Sequence, residues 1–160
     1  MNAVPFNVRG KSPANPSRRA TARVTNPMPV PTVCPHDGGA VHLVENSVIY
    51  GRHYGEWPWA YRCAVCKAYV GLHPFTSIPL GTLATKPIRE ARLRAHAAFD
   101  PLWQDGGAMT RSQAYTWLAS AIGIANVQDC HISWFDEAKC DRVVRAVKDA
   151  RIAEMEGGVQ

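Results

Sequence analysis

Cys63 and Cys66, in the run Tyr61-Arg62-Cys63-Ala64-Val65-Cys66-Lys67-Ala68-Tyr69-Val70, constrain the fold more than any other feature of the chain. Two cysteines three apart at a tight turn aim both sulfurs at one point, which is what a tetrahedral zinc ion requires. A partial copy lies upstream in Cys34-Pro35-His36-Asp37-Gly38-Gly39, with Asp37 where a second cysteine would stand. Together the two runs predict one structural Zn2+ held by Cys34, Cys63, Cys66 and a fourth ligand that is not cysteine. Asp37 is the first choice, because it occupies the knuckle position and carboxylate oxygen is a legitimate zinc donor. His36 is the alternative, although the knuckle would have to distort to present it, and His73 is a third choice. The competing reading is a metal-free fold in which Cys63 and Cys66 are ordinary buried thiols. A reactive dithiol fits poorly, since such a pair normally opens a helix in a βαβ setting and this one lies between strand-like runs.

The surrounding pattern predicts an α+β chain: a small zinc-ribbon-like β module, then a three-helix segment, preceded by a flexible basic arm. Val41 to Val44 and Ser47 to Tyr50 read as strands flanking a Glu45-Asn46 turn. Trp59 to Arg62 leads into the second Cys pair and Ala68 to Leu72 leads out. Residues 74–84 are apolar but punctuated by Pro74, Pro79 and Gly81, and read as an ordered connector. Helical spacing then takes over, with Ile88, Ala91, Ala95, Ala98, Phe99 and Leu102 on one face. Pro101 ends or kinks that helix. Thr110 and Gln113 have capping-box form ahead of a stripe of Tyr115, Leu118, Ala119 and Ile122, and Gly123 closes it. The Ser133 to Asp136 run caps a last helix that buries Cys140, Val143, Val144, Val147 and Ala150. Residues 34–84 form the β module with its connector and 85–156 the helical segment, the two expected to make one compact domain.

Charge is concentrated at the start. Residues 1–33 hold Arg9, Lys11, Arg18, Arg19 and Arg23 and no acidic residue, while the rest holds 13 of the 18 basic residues and all 13 acidic ones. The same stretch has six prolines and few large apolar side chains. Such a segment buries too little surface to offset its ordering entropy, so it reads as an arm that is flexible or orders on a partner. Basic arms bind phosphates through counterion release. In the β module, Arg52, Tyr54 and Trp57 lie in a polar loop and are candidates to stack on bases or dock a partner. No apolar run approaches the roughly 20 residues of a membrane span, and the N-terminal residues lack the apolar stretch of a signal peptide. The expectation is a cytoplasmic protein whose five cysteines are thiols or metal ligands.

Other candidate chemistry reads as structural. His96 and Asp100, four apart on one helix face, are equally ordinary as an i,i+4 hydrogen-bonded pair. Cys130 and Cys140 are too far apart for a local knuckle and suit core packing. The chain has no nucleophile elbow, phosphate-cradling glycine loop or HExxH pattern, so it is expected not to be an enzyme.

The segments Ile49 to Arg52, Tyr61 to Cys63 with Cys66, Ala68 to Gly71, His73-Pro74, Ile78 to Ala84, Ala95 to Trp103, Met109 to Arg111, Ala114-Tyr115, Trp117-Leu118, Cys130 to Ile132, Phe135-Asp136 and Cys140 together resemble a zinc-finger-containing domain family. That family is found largely in bacteriophages and prophages. The resemblance covers about residues 34–147. It implies two Cys pairs, carried here by Cys34, Cys63 and Cys66, with Asp37 as the departure, and it implies a bacterial host cytoplasm as workplace. The first functional expectation is a small non-enzymatic phage-type protein that binds nucleic acid or a nucleic-acid-handling complex. The second is a protein that docks on and inhibits or redirects a host enzyme or defence complex, and the third a metal- or His-dependent enzyme. A helix-turn-helix reader built on residues 111–122 and 134–150 is disfavoured by the long connection between them.

Overall fold

A three-stranded antiparallel sheet followed by helices makes the chain α+β. The computed structural model describes residues 10–158. The chain divides into two compact units, Met1–Thr85 and Lys86–Gln160, each with its own apolar cluster, whereas the sequence pattern grouped residues 34–156 together. Among the described residues no helix is long and apolar enough to cross a membrane.

In the first unit β1 (Val41–Glu45), β2 (Trp59–Cys63) and β3 (Tyr69–Gly71) pair in sequence order. The register sets Val41 opposite Cys63 and Tyr61 opposite Val70. β2 is the central strand and is buried almost throughout, with Trp59 and Tyr61 in a cluster that also holds Cys34, Cys63, Trp57 and Leu72. The Tyr61 hydroxyl donates to the Ser77 carbonyl at 2.6 Å, fastening the connector across the sheet. Bridges from Leu72 to Pro79 and from Tyr69 to Ala84 order that connector as expected.

Two segments differ from the sequence reading. Ser47 to Tyr50, expected as a strand, is a single helical turn, α2 (Ser47–Tyr50), closed by Gly51 at φ 75°. The cause is Asn46, which is buried. Its backbone N–H donates to Pro58 O at 2.8 Å, and its side chain bonds both the N–H and the carbonyl of Tyr54. These bonds fold the chain back on itself, so β1 pairs with β2 instead. The second difference lies in the segment expected to be a flexible arm. Its residues 18–22 form a short helix, α1 (Arg18–Ala22), capped by the Ser17 side chain on Ala20 N. Ser17 N–H donates to Phe75 O at 2.9 Å, a partner within the same unit that local composition does not reveal. Arg9 lies outside the described residues.

The second unit consists of α3 (Lys86–Phe99), α4 (Arg111–Ile122) and α5 (Glu137–Gly157), with 3-10 turns at Asp100–Leu102, Val127–Asp129 and Ile132–Trp134. The helix signals act where the sequence places them. Pro101 falls in the 3-10 turn ending α3. Thr110 and Gln113 form a reciprocal capping box, and Gly123 closes α4 in the left-handed region. Asp136 caps α5 by accepting from Lys139 N at 2.8 Å. The core joins Phe99, Leu118, Ile132, Phe135, Val143 and Val147, all buried. Phe99 meets Tyr115 edge-to-face at 4.9 Å, so Phe99→Ala is expected to destabilise the protein by about 3–5 kcal/mol. Thr110→Ala, which removes one cap, should cost about 1 kcal/mol. Urea unfolding followed by helical circular dichroism checks both.

Candidate metal centre

Two turns of the same build face each other at one end of the sheet. In the first, Cys34 N–H donates to Gly39 O at 2.8 Å, and in the second Cys63 N–H donates to Ala68 O at 2.8 Å. The residue after the second ligand position is left-handed in both, Gly38 at φ 74° and Lys67 at φ 65°. Asp37 therefore stands in the first turn where Cys66 stands in the second. The β1–β2 register, with Val41 opposite Cys63, brings the turns together.

The structure gathers Cys34, Asp37, Cys63 and Cys66, with their ligand atoms all within 4.8 Å of one another. Cys34 Sγ and Cys66 Sγ are 3.6 Å apart, and Cys63 Sγ lies 3.4 Å from Asp37 Oδ1 and 3.6 Å from Oδ2. A tetrahedron about zinc, with Zn–S of about 2.3 Å and Zn–O of about 2.0–2.2 Å, has S···S edges of about 3.8 Å and S···O edges of about 3.5 Å. The group fits that polyhedron with little movement. A zinc ion bound there would take all four of its tetrahedral positions from protein donors, the donor count of a structural site. When bound, the ion supplies a cross-link between the two turns.

The electrostatics of the group call for a cation. The Gly39 N–H, 2.8 Å from Oδ1, is the largest influence on Asp37. Desolvation by the neighbouring groups opposes it, but with hydrogen bonds from Cys66, Cys63 and Cys34 it holds the carboxyl at about 2. Cys63 is pulled below the usual thiol value: burial opposes ionisation, but N–H groups of Val65 and Cys66 outweigh it. At Cys66 the Ala68 N–H favours the thiolate, but burial and the neighbouring Cys34, Asp37 and Cys63 push the thiol up to about 12. Without a metal, the group thus retains a proton on Cys66 at neutral pH. Zinc must displace it, so affinity rises with pH as ligand binding and proton release are linked.

Gly39 is part of this geometry and was not singled out by sequence pattern. A Cβ there would lie 2.8 Å from Cys63 Sγ, 2.9 Å from Val65 Cγ2 and 3.0 Å from Asp37 Oδ1. Only the second glycine of the Gly38-Gly39 pair carries this constraint; at Gly38 a Cβ would meet nothing within 4 Å, and the cost is the left-handed backbone alone. His36 is not among the gathered residues. Its Nε2 lies 2.9 Å from Leu83 O. His73 is half-buried away from the group, and burial lowers its pKa.

The remaining candidates separate into two sets. Trp57, expected at the surface, is only 8% exposed. Its Nε1 donates to Thr76 O at 3.0 Å and its ring packs 5.2 Å from Phe75, so it is a core residue and no stacking platform. Tyr54 is 63% exposed with the Arg52 guanidinium 5.9 Å from its ring centroid. Tyr50, 52% exposed and 6.0 Å from Tyr54, joins them. Arg18, Arg19 and Arg23 are exposed and Lys11 is partly so. In the second unit His96 Nδ1 lies 3.2 Å from both oxygens of Asp100. Cys130 and Cys140 are buried, and burial pushes each thiol up to about 11, as suits packing.

Elemental analysis of protein purified without chelator is expected to give one zinc per chain. Asp37→Cys should tighten binding, since thiolate is the softer donor, and Asp37→Ala should weaken it at least about tenfold. His36→Ala should leave it nearly unchanged. Gly39→Ala should weaken binding more than Gly38→Ala, although the latter carries the larger backbone strain of about 1–2 kcal/mol. A competition titration against a chromophoric chelator ranks all five proteins.

No curated protein and no solved structure matches the chain. A sequence profile for a family described as a zinc-finger-containing domain matches residues 30–150, spanning both turns of the metal centre and the helices that follow. By that match, the chain belongs to the zinc-finger-containing domain family.

Proposed function

We propose that this protein is a small non-enzymatic, zinc-stabilised module of phage type that binds nucleic acid or a nucleic-acid-handling complex in a bacterial cytoplasm. The observation that carries the reading is the exposed Tyr50, Arg52 and Tyr54 group. The buried Asn46 side chain bonds Tyr54 through both its N–H and its carbonyl, so the ring is offered on a fixed backbone and little entropy is lost when a base stacks on it. Arg18 and Arg19 on α1 and Arg23 at its C-cap supply phosphate-neutralising charge in the same unit, with no acidic residue in the first turn of α1. The closed donor set of the metal centre supports a non-enzymatic role.

A second reading, docking on a host enzyme or defence complex, draws on apolar side chains of the same unit that face solvent: Val48, Leu43 and Val65. Fluorescence anisotropy with random single-stranded DNA and RNA at two salt concentrations separates the two. Binding should fall steeply with salt. The triple change Arg18→Gln, Arg19→Gln, Arg23→Gln should reduce the log–log salt slope by about 2, at about 0.7 per phosphate contact. Tyr54→Ala should cost about 1–3 kcal/mol at either salt. Absence of binding at low salt would favour the protein-docking reading.

A further inference from the structure

The sheet of the first unit has a second face. Side chains alternate across a strand, so Trp59, Tyr61 and Cys63 of β2 and Val70 of β3 turn into the core cluster, and the residues between them turn the other way. The register aligns three of these in one row: His42 of β1, Arg62 of β2 and Tyr69 of β3. Such cross-strand neighbours have Cβ atoms about 4.5–5.5 Å apart. His42 is exposed, and Arg62 and Tyr69 are half-buried. The row continues into the loop group. Tyr50 meets Tyr69 edge-to-face with ring centroids 6.2 Å apart, Tyr54 follows at 6.0 Å, and Arg52 lies over the Tyr54 ring. From His42 to Tyr54 the first unit thus presents a continuous run of rings and cations.

Arg62 points to the chemistry that fits this run. Its Nε is buried without a hydrogen-bond partner, and among the described residues no carboxylate pairs with its guanidinium. A half-buried charge that nothing in the chain neutralises favours an anionic ligand. The balance of the whole unit agrees. Met1–Thr85 holds eight of the 18 basic residues but only three of the 13 acidic ones. Of those three, Asp37 belongs to the metal group and Glu45 lies 2.7 Å from His53. Rings alternating with cations match a ligand in which flat bases alternate with phosphates. Resting on the nucleic-acid reading above, we propose that a single strand of nucleic acid crosses this face of the sheet, from Tyr54 past Tyr50 and Tyr69 to His42, with Arg62 taking a phosphate midway. A duplex does not fit the run, because its bases are already stacked on one another and offer the rings no free face.

Fluorescence anisotropy of the full zinc-loaded chain with a labelled single strand of about 12 nucleotides, alone or annealed to its complement, tests the route between about 50 and 200 mM salt. The single strand should bind at least about tenfold tighter than the duplex, since only its bases can stack. Arg62→Gln should weaken binding and lower the log–log salt slope by about 0.7, the share of one phosphate contact, whereas Arg62→Lys should keep the slope. Arg145→Gln removes the same charge from an exposed position on α5 and should leave the slope as it was. Tyr50→Ala should weaken single-strand binding about fivefold or more. Unchanged near-ultraviolet circular dichroism from the Trp57 and Trp59 core excludes unfolding as the cause. If Tyr54→Ala weakens binding but Arg62→Gln changes neither affinity nor slope, the nucleic-acid reading stands and the route across the sheet is wrong. Equal binding of duplex and single strand also overturns the route. A chain that binds neither at low salt overturns both.

Discussion

The gathering of Cys34, Asp37, Cys63 and Cys66 at one point, where a single divalent cation can tie both turns together, is the constraint on which the first unit depends. Its strands are of five, five and three residues, and a sheet of that size has limited capacity to stand alone. The sheet's own packing incorporates the ligands: Cys34 and Cys63 belong to the cluster formed by Trp57, Trp59 and Tyr61. Binding of the cation therefore does more than close a loop between Cys34 and Cys66. It fixes the end of the β1–β2 ladder and shields the edge of the core. Because such a site is not preformed in an unfolded chain, the binding free energy is also folding free energy.

The turn geometry explains which residues surround the ligands. In both turns the chain must reverse within five residues to return a carbonyl to the first cysteine's N–H, and the left-handed residue accomplishes it. Gly38 does so at little steric cost; Lys67 does so as a lysine, with its ammonium reaching the Ala64 carbonyl. Gly39 answers to a different constraint, the proximity of Cys63 Sγ. Asp37 is pinned by the Gly39 N–H, so the one hard donor in the set is oriented before any metal arrives.

The metal group was legible because its information is local. Cysteine spacing, the upstream Cys-Pro opening and the aspartate at the third position past Cys34 all sit within short windows of sequence. The same holds for the caps of α4 and α5 and for the buried stripes of the helices. What could not be read depends on partners far along the chain. Asn46 turns Ser47–Tyr50 into a helix by bonding Tyr54 and Pro58. Trp57 is drawn inward by Thr76 and Phe75, and Ser17 anchors α1 on Phe75. Each bond joins residues of low local signal, and a short apolar run flanked by them is ambiguous between strand and helix. The consequence for the candidate surface is specific: Tyr50 replaces Trp57 as the companion of Arg52 and Tyr54.

Separate cores in the two units make the central claim directly measurable, for a cation that supports only the sheet unit should leave the helices indifferent to it. Amide hydrogen exchange of the zinc-loaded chain, repeated after chelation, resolves the two units in one experiment. The expected result is that amides of Val41–Glu45 and Trp59–Cys63 lose protection on chelation, while those of α3, α4 and α5 keep theirs. Unchanged protection across β1 and β2 in the metal-free protein would contradict the account.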